Sequence, residues 1–186
     1  MTEVDKIVEA FAEEATLRAK RNLGSYRYVK DKRGRKKRRR ADSSGELRNS
    51  LTFNIKKGQG TYDIAFFANG EASKYASFVE QGVNGTKKKW GSPFSFKGKN
   101  INQDAIRKWM KKKPIRVREF KNGKLGGFAK ATETRKKQTA FLIGRSIAMY
   151  GISPLNYMSD AVNEELPKWR ERFSEALAKD LENRIQ

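Results

Sequence analysis

The side chains most often used in catalysis are missing from this sequence. Its 186 residues include no cysteine and no histidine. That removes disulfides, thiolate zinc sites, cysteine nucleophiles and imidazole bases together. Carboxylate–metal and serine–lysine chemistry need neither residue and remain to be weighed. The closely spaced acids are Glu13-Glu14 and Glu164-Glu165, both within helical patterns and with no third acid beside them. Neighbours on a helix point about 100° apart, so neither pair converges on one cation. Ser43 and Ser44 lie near many lysines, but no oxyanion-hole motif accompanies them. Asp104 and Asp160 fit acids in a first helical turn, where the helix dipole favours them. Gly82-Val83-Asn84-Gly85-Thr86-Lys87 and Gly123-Lys124-Leu125-Gly126-Gly127 lack the gap before Gly-Lys-Ser/Thr that a phosphate loop needs, and read as turns. The expectation is a protein that is not an enzyme and carries no cofactor or metal.

The chemistry that does stand out is cationic. The formal net charge is +21. Residues 30–40 hold nine Lys or Arg against one Asp, and residues 84–140 hold eighteen against three acids, so the rest of the chain is close to neutral. A field of this kind attracts polyanions, and concentrated charge of one sign destabilises a fold through self-repulsion. The candidate contacts to nucleic acid or to an acidic partner are Lys30, Lys32, Arg33, Arg35, Lys36, Lys37, Arg38, Arg39 and Arg40, with Lys87, Lys88 and Lys89 in the second run. Lys87-Lys88-Lys89-Trp90 and Trp109-Met110-Lys111-Lys112-Lys113 set an aromatic beside lysines, as single-strand binders do. Trp109 also falls on the apolar side of a helical pattern, which favours a core role for it. No zinc finger, RNA-recognition signature or helix-turn-helix is present. Any contact with DNA is therefore expected to be to phosphate, non-specific and salt-sensitive.

The elements that must position these groups follow from periodicity. Residues 2–22 predict a helix with Thr2 as N-cap, Glu3 and Asp5 in the first turn, and a stripe of Val4, Ile7, Val8, Phe11, Ala15 and Leu17 or Ala19. The stretch 30–42 cannot form a core and is expected to be a disordered loop or arm. A helical turn near Ser43–Leu51 leads into a strand over 51–56, where Leu51, Phe53 and Ile55 alternate with polar residues. Gly58-Gln59-Gly60 turns the chain into a second strand, 61–68, giving an antiparallel hairpin. Residues 72–81 predict a short helix with Tyr75, Phe78 and Val79 on one face, ended by Gly82. A loop with Trp90, Phe94 and Phe96 follows, then a basic helix over 102–112. A strand near Ile115–Phe120 and a turn at Lys121-Asn122-Gly123-Lys124 suggest a second hairpin. Helices are expected over 132–150, burying Phe141, Ile143, Ile147 and Ala148, and over about 157–185. The last carries Val162, Leu166, Trp169, Phe173, Leu177 and Leu181 as its apolar face, with a kink or break near Glu165 because of Pro167. The fold class is thus α+β: a small antiparallel β-sheet packed by N-terminal and C-terminal helices, with a basic inserted segment at 84–130. All 186 residues are read as a single domain. No run of about 18 apolar residues offers a transmembrane helix, the acidic N-terminus does not fit a secretory signal, and acidic terminal helices do not suit an anionic membrane surface.

Three stretches carry a resemblance. Gly45-Glu46-Leu47-Arg48-Asn49-Ser50-Leu51 leads into a hairpin. Tyr75-Ala76-Ser77-Phe78-Val79-Glu80-Gln81-Gly82 has Val83 after it where Thr is usual. Tyr150-Gly151-Ile152-Ser153-Pro154-Leu155-Asn156-Tyr157-Met158 precedes the final helix but lacks the usual Arg-Pro. In this order and spacing they resemble the tail-completion and head–tail connector (neck) proteins of long-tailed lambdoid bacteriophages. The resemblance implies a structural virion protein, a homo-oligomeric ring around the DNA channel at the head–tail junction. Its partners would be portal, adaptor or tail proteins and genomic DNA in passage, with host cytoplasm as the place of assembly. It makes Leu47, Leu51, Tyr75, Phe78, Val79, Glu80 and Gly82 motif or interface residues, Glu80 being a candidate inter-subunit salt-bridge partner. The rival expectation from charge alone is a free, non-specific nucleic-acid-binding protein.

Overall fold

A computed structural model describes residues 2–31, 33–39, 44–96, 101–112, 115–121 and 124–185. Lys32, Arg40, Ser43, Lys113 and the turn residues Asn122 and Gly123, all weighed above, lie outside the described residues. The elements are α1 (Glu3–Gly24), β1 (Arg27–Lys30), β2 (Lys36–Arg39), α2 (Glu46–Ser50), β3 (Leu51–Lys57), β4 (Tyr62–Ala68), α3 (Ser73–Gln81), α4 (Gln103–Lys112), β5 (Arg118–Lys121), β6 (Lys124–Phe128), α5 (Glu133–Tyr150) and α6 (Tyr157–Ile185). The α+β class expected from the sequence is the class observed. The chain divides into two compact units, Met1–Val29 with Lys37–Glu80 and Leu155–Gln186, and Lys30–Lys36 with Gln81–Pro154.

The first unit is organised by α1 and α6, which run antiparallel. The Asp180 carboxylate accepts the N–H groups of Glu3 (2.9 Å) and Val4 (3.0 Å), and Asn22 donates to the Tyr157 carbonyl (2.9 Å) at the other end. Thr2 and Asp5 form a capping box at the start of α1. The helices meet through small residues: Ala12, Ala15 and Ala19 of α1 and Ala161 of α6 are fully buried. Phe11 stands edge-on to Trp169 (6.2 Å) and Phe173 (5.7 Å). This close approach rotates α6 away from the face its large apolar residues predict. Leu166, Leu177 and Leu181 were expected inside but are exposed, as are Leu17 and Ile185, while Ala161, Glu165, Trp169 and Ala176 are buried. The helix also runs unbroken past Pro167. A proline there removes one N–H bond, to the Asn163 carbonyl, and the packing against α1 carries the helix through.

On the other side of α1, β3 and β4 pair antiparallel with Leu51 opposite Ala68, Phe53 opposite Phe66 and Ile55 opposite Ile64. This register puts the apolar members of both strands on one face and leaves Asn54, Lys56, Asp63, Ala65 and Phe67 exposed on the other. The core gathers Ala19, Leu23, Leu47, Leu51, Ala68, Ala72, Leu155, Tyr157 and Ala161, with Val29, Tyr75, Ala76, Val79 and Met158 packed against it.

Within the second unit, Val83 and Ile152 form a β-bridge. Gly151, at φ +68°, ends α5 as expected, and a Cβ there would collide with the Val83 carbonyl. The loop after Val83 is tied by Asn84, a buried residue whose side chain donates to the Ser92 carbonyl (2.6 Å) and accepts from the Trp90 N–H (2.6 Å). Helix α4 has Asn102 as its cap, its side chain accepting from the N–H of Asp104 (2.9 Å). The second hairpin forms where expected, β5 against β6. Two apolar expectations fail here. Trp109 is 39% exposed and Phe141 is 48% exposed, whereas Ile106, Ala140, Gly144 and Ala148 are buried. Again the small residues line the tight contact and the large rings are left at its margin.

Candidate functional site

The described part of the basic run expected to be a disordered arm, residues 30–31 and 33–39, lies in a β-hairpin; residues 40–42 of that run lie outside the described residues. Strands β1 and β2 pair with each other in a two-stranded sheet. The local cause is the alternation Tyr26-Arg27-Tyr28-Val29-Lys30 just before the charge run, a period of two that the lysines and arginines mask. Arg27 and Val29 face the body of the first unit: Arg27 pairs with Asp160 of α6, and Val29 packs against the core. Tyr28, between them, and Lys30, after Val29, are exposed. The turn is closed by Asp31, whose N–H donates to the Arg35 carbonyl (2.8 Å) and whose carboxylate accepts from the N–H groups of Arg33 (2.8 Å) and Arg35 (2.9 Å) and from the Arg35 guanidinium (2.8 Å). Burial raises the Asp31 pKa, but the Arg35 N–H and guanidinium and the Arg33 N–H outweigh it and hold the carboxyl below its ordinary 3.8.

The predicted cations are therefore not equivalent. Arg35 is committed to Asp31, and Arg38 lies over the Tyr26 ring, 4.7 Å from its centroid. Arg39 is half-buried, and burial draws the pKa of its guanidinium below the ordinary value. Lys30, Arg33, Lys36 and Lys37 are exposed and have no carboxylate partner among the described residues. The structure thus brings the described cations of this stretch, Lys30, Arg33, Arg35, Lys36, Lys37, Arg38 and Arg39, together on one ribbon.

Lys87, Lys88 and Lys89 have a different setting. Their loop closes the C-terminal end of α5: Thr86 N–H donates to the Ala148 carbonyl (3.0 Å), Lys87 N–H to Met149 (2.7 Å) and Trp90 Nε1 to Tyr150 (2.7 Å). Cations are favoured at that negative end of a helix dipole, and Lys88 rests 5.2 Å from the Trp90 ring centroid. The backbone of this loop thus has a structural role, while the Lys87 and Lys89 side chains are exposed.

The motif residues also separate. Leu47 and Leu51 are buried, and Tyr75 and Val79 pack on the same core, whereas Phe78 is 39% exposed. Gly82 adopts φ +70°, and a Cβ there would strike the Ile152 carbonyl and Pro154, so the helix end needs glycine. Glu80 clamps the start of α6: its carboxylate accepts the N–H groups of Met158 (3.0 Å) and Ser159 (2.9 Å) and the Ser159 hydroxyl (2.6 Å). Burial, with the Glu80 and Tyr75 charges adding to it, pushes the Tyr157 phenol above its ordinary 10.0. Both Glu80 oxygens are thereby used within the chain. The sequence gives one sign of this clamp, an acid far upstream of a helix whose first turn has no acid before Asp160, but not the fold that joins them.

Residues 2–82 match the family described as "Bacteriophage HK97-gp10, putative tail-component". The match covers 81 of the 186 residues and marks a similarity over that stretch to a family of phage tail components, in agreement with the resemblance read from the motifs. It begins at the α1 cap and ends at Gly82, so it takes in the basic ribbon and the first two motifs. The third motif, Lys87–Lys89 and α6 lie beyond it. Neither the curated proteins nor the solved structures gave a match. Among the described residues no group of acids is arranged to hold a metal ion, and no helix is long and apolar enough to cross a membrane.

Proposed function

We propose that this chain is a structural virion subunit that assembles as a homo-oligomeric ring around the DNA channel, at the head–tail connector or the completed tail end. The observation that carries the reading is the family match over 2–82, a stretch that includes Glu80 and the core residues Leu47, Leu51, Tyr75 and Val79. Two further features support it. The stripe Leu166, Leu177, Leu181 and Ile185 is exposed on α6, a helix with seven acids and five bases in a chain of net charge +21. An apolar stripe on a helix with a slight excess of acids is where copies of so basic a protein can meet without repulsion. The first unit is also interrupted between Glu80 and Leu155, which fits one tail-completion-like domain carrying a basic insertion. Portal, adaptor and tail proteins would be its partners, and the virion its place after assembly in the host cytoplasm.

Size by light scattering, alone and with portal or tail components, tests the proposal. A ring, or a monomer that assembles only on those components, supports it. A stable monomer that binds DNA with steep salt dependence and never joins a particle sinks it in favour of a free nucleic-acid binder. The unpaired cations of the ribbon are the observation that keeps this rival in view.

A further inference from the structure

We propose that the β1–β2 hairpin grips duplex DNA by seating in its major groove. The inference deepens the reading of this segment as a polyanion contact and does not depend on the ring.

The ribbon is anchored at its base and cationic beyond it. Arg27 and Val29 fix β1 to the first unit, and the only acid of the hairpin, Asp31, is consumed by its own turn. The exposed cations without carboxylate partners come from both strands and from the turn: Lys30 on β1, Arg33 at the tip, Lys36 and Lys37 on β2. Lys36 and Lys37 are sequence neighbours, so they project from opposite faces of the ribbon, and both are exposed.

That arrangement selects among polyanions. Two strands about 5 Å apart form a ribbon that a major groove about 12 Å wide admits. Phosphates then line both sides, where cations from both strands reach them at once. A single strand offers one line of phosphates and is held by bases stacked on successive rings. Here only two rings are exposed at the hairpin, Tyr26 (60%), with Arg38 over one side of it, and Tyr28 (71%), too few for a run of stacked bases. A carboxylate-rich protein surface is best met by arginine forks. Three of the four available cations are lysines, and the fork of Arg35 is already taken.

The test uses the full chain and a mixed-sequence duplex, with affinity followed by fluorescence anisotropy across salt. Each phosphate contact contributes about −0.9 to the slope of log affinity against log salt. Replacing Lys30, Arg33, Lys36 and Lys37 with alanine should therefore flatten the slope by about 3 to 4 and weaken binding on the order of 100-fold at moderate salt. The variant K87A/K88A/K89A, which removes three cations that lie outside the ribbon, should bind within about threefold of the parent. An unchanged thermal melt shows that the four-residue variant folds, and K36E/K37E gives a second reading by charge reversal. Unchanged affinity and slope in the ribbon variants overturn the inference. So does a single strand that binds more tightly than the duplex, or polyglutamate that displaces the duplex at equal charge. Light scattering on the same variants separates the two proposals: intact rings that no longer hold duplex support the grip, and rings that hold it undiminished sink the grip alone.

Discussion

Single side chains hold this fold at its helix ends. Glu80 and Asp180 each supply a carboxylate to the N–H groups of another helix, Glu80 to α6 and Asp180 to α1. Both act at a positive helix terminus, where an anion meets orphan donors and the dipole together. Glu80→Ala removes three hydrogen bonds, two of them to backbone N–H groups. It is expected to lower unfolding free energy by about 1–2 kcal/mol, the size of a lost cap with a charged acceptor. Glu80→Gln keeps an acceptor without the charge and should recover part of that. Urea midpoints measure both, with Glu71→Ala, a change at an exposed residue paired only with Lys74, as the control that stays within about 0.5 kcal/mol. A loss no larger than the control's would mean that solvent replaces Glu80 at the α6 terminus.

At the level of elements, the Asp5 carboxylate joins three pieces of chain. It accepts from Lys57 of β3 (2.7 Å), the Tyr62 hydroxyl of β4 (2.6 Å) and the Thr2 N–H (2.8 Å). Lys57, Tyr62 and Thr2, in that order, hold it well below the ordinary 3.8. A carboxyl depressed in the folded state contributes stability that is complete above the unfolded value and lost as pH falls below it towards the folded one. The melting temperature should therefore drop as pH is lowered beneath about 4, and Asp5→Asn should make that drop shallower while lowering the melt at neutral pH. Asp63→Asn, on the exposed face of β4, should leave the acid limb as it is. If D5N and the parent lose stability in parallel below pH 4, the junction does not carry it.

The same level shows what periodicity can and cannot reveal. Helix α1, the β3–β4 hairpin and the end of α3 stand where the pattern puts them, because each has one apolar face and a chemically marked end: Thr2, Gly58-Gln59-Gly60, Gly82. The inner face of α6 differs from the one its pattern predicts because large residues dominate that pattern while small residues make the contact. The pair α1 and α6 approaches so closely that Ala12, Ala15, Ala19 and Ala161 fill the seam, and Leu166, Leu177 and Leu181 fall outside it. Trp109 and Phe141 repeat the lesson in the second unit. The hairpin in the basic arm was hidden for another reason. Its strand pattern spans only four residues on each side, and its partners, Asp160 and the core around Val29, come from elsewhere in the chain. Among the site residues, the candidate cations were legible as a charge run, but their division into committed and available groups depends on the turn that Asp31 builds.

Over the whole molecule the dominant fact is a net charge of +21. The ion pairs of the described residues are mostly exposed, and such pairs contribute little each. Repulsion among the unpaired cations acts over a Debye length that shrinks from about 30 Å at 0.01 M salt to about 8 Å at 0.15 M. Raising sodium chloride across that range should therefore raise the melting temperature, whereas a fold held by its surface ion pairs would melt lower. The variant lacking the Lys30, Arg33, Lys36 and Lys37 charges should melt higher than the parent at low salt, with the gap closing as salt is added. Duplex DNA should lift the parent's melt and leave that variant's nearly unchanged. A ribbon whose charge destabilises the free protein and stabilises only the loaded one is serving an external anion. If the four substitutions leave the low-salt melt unchanged, the ribbon carries no such strain, and its charge alone stops being an argument for a polyanionic partner.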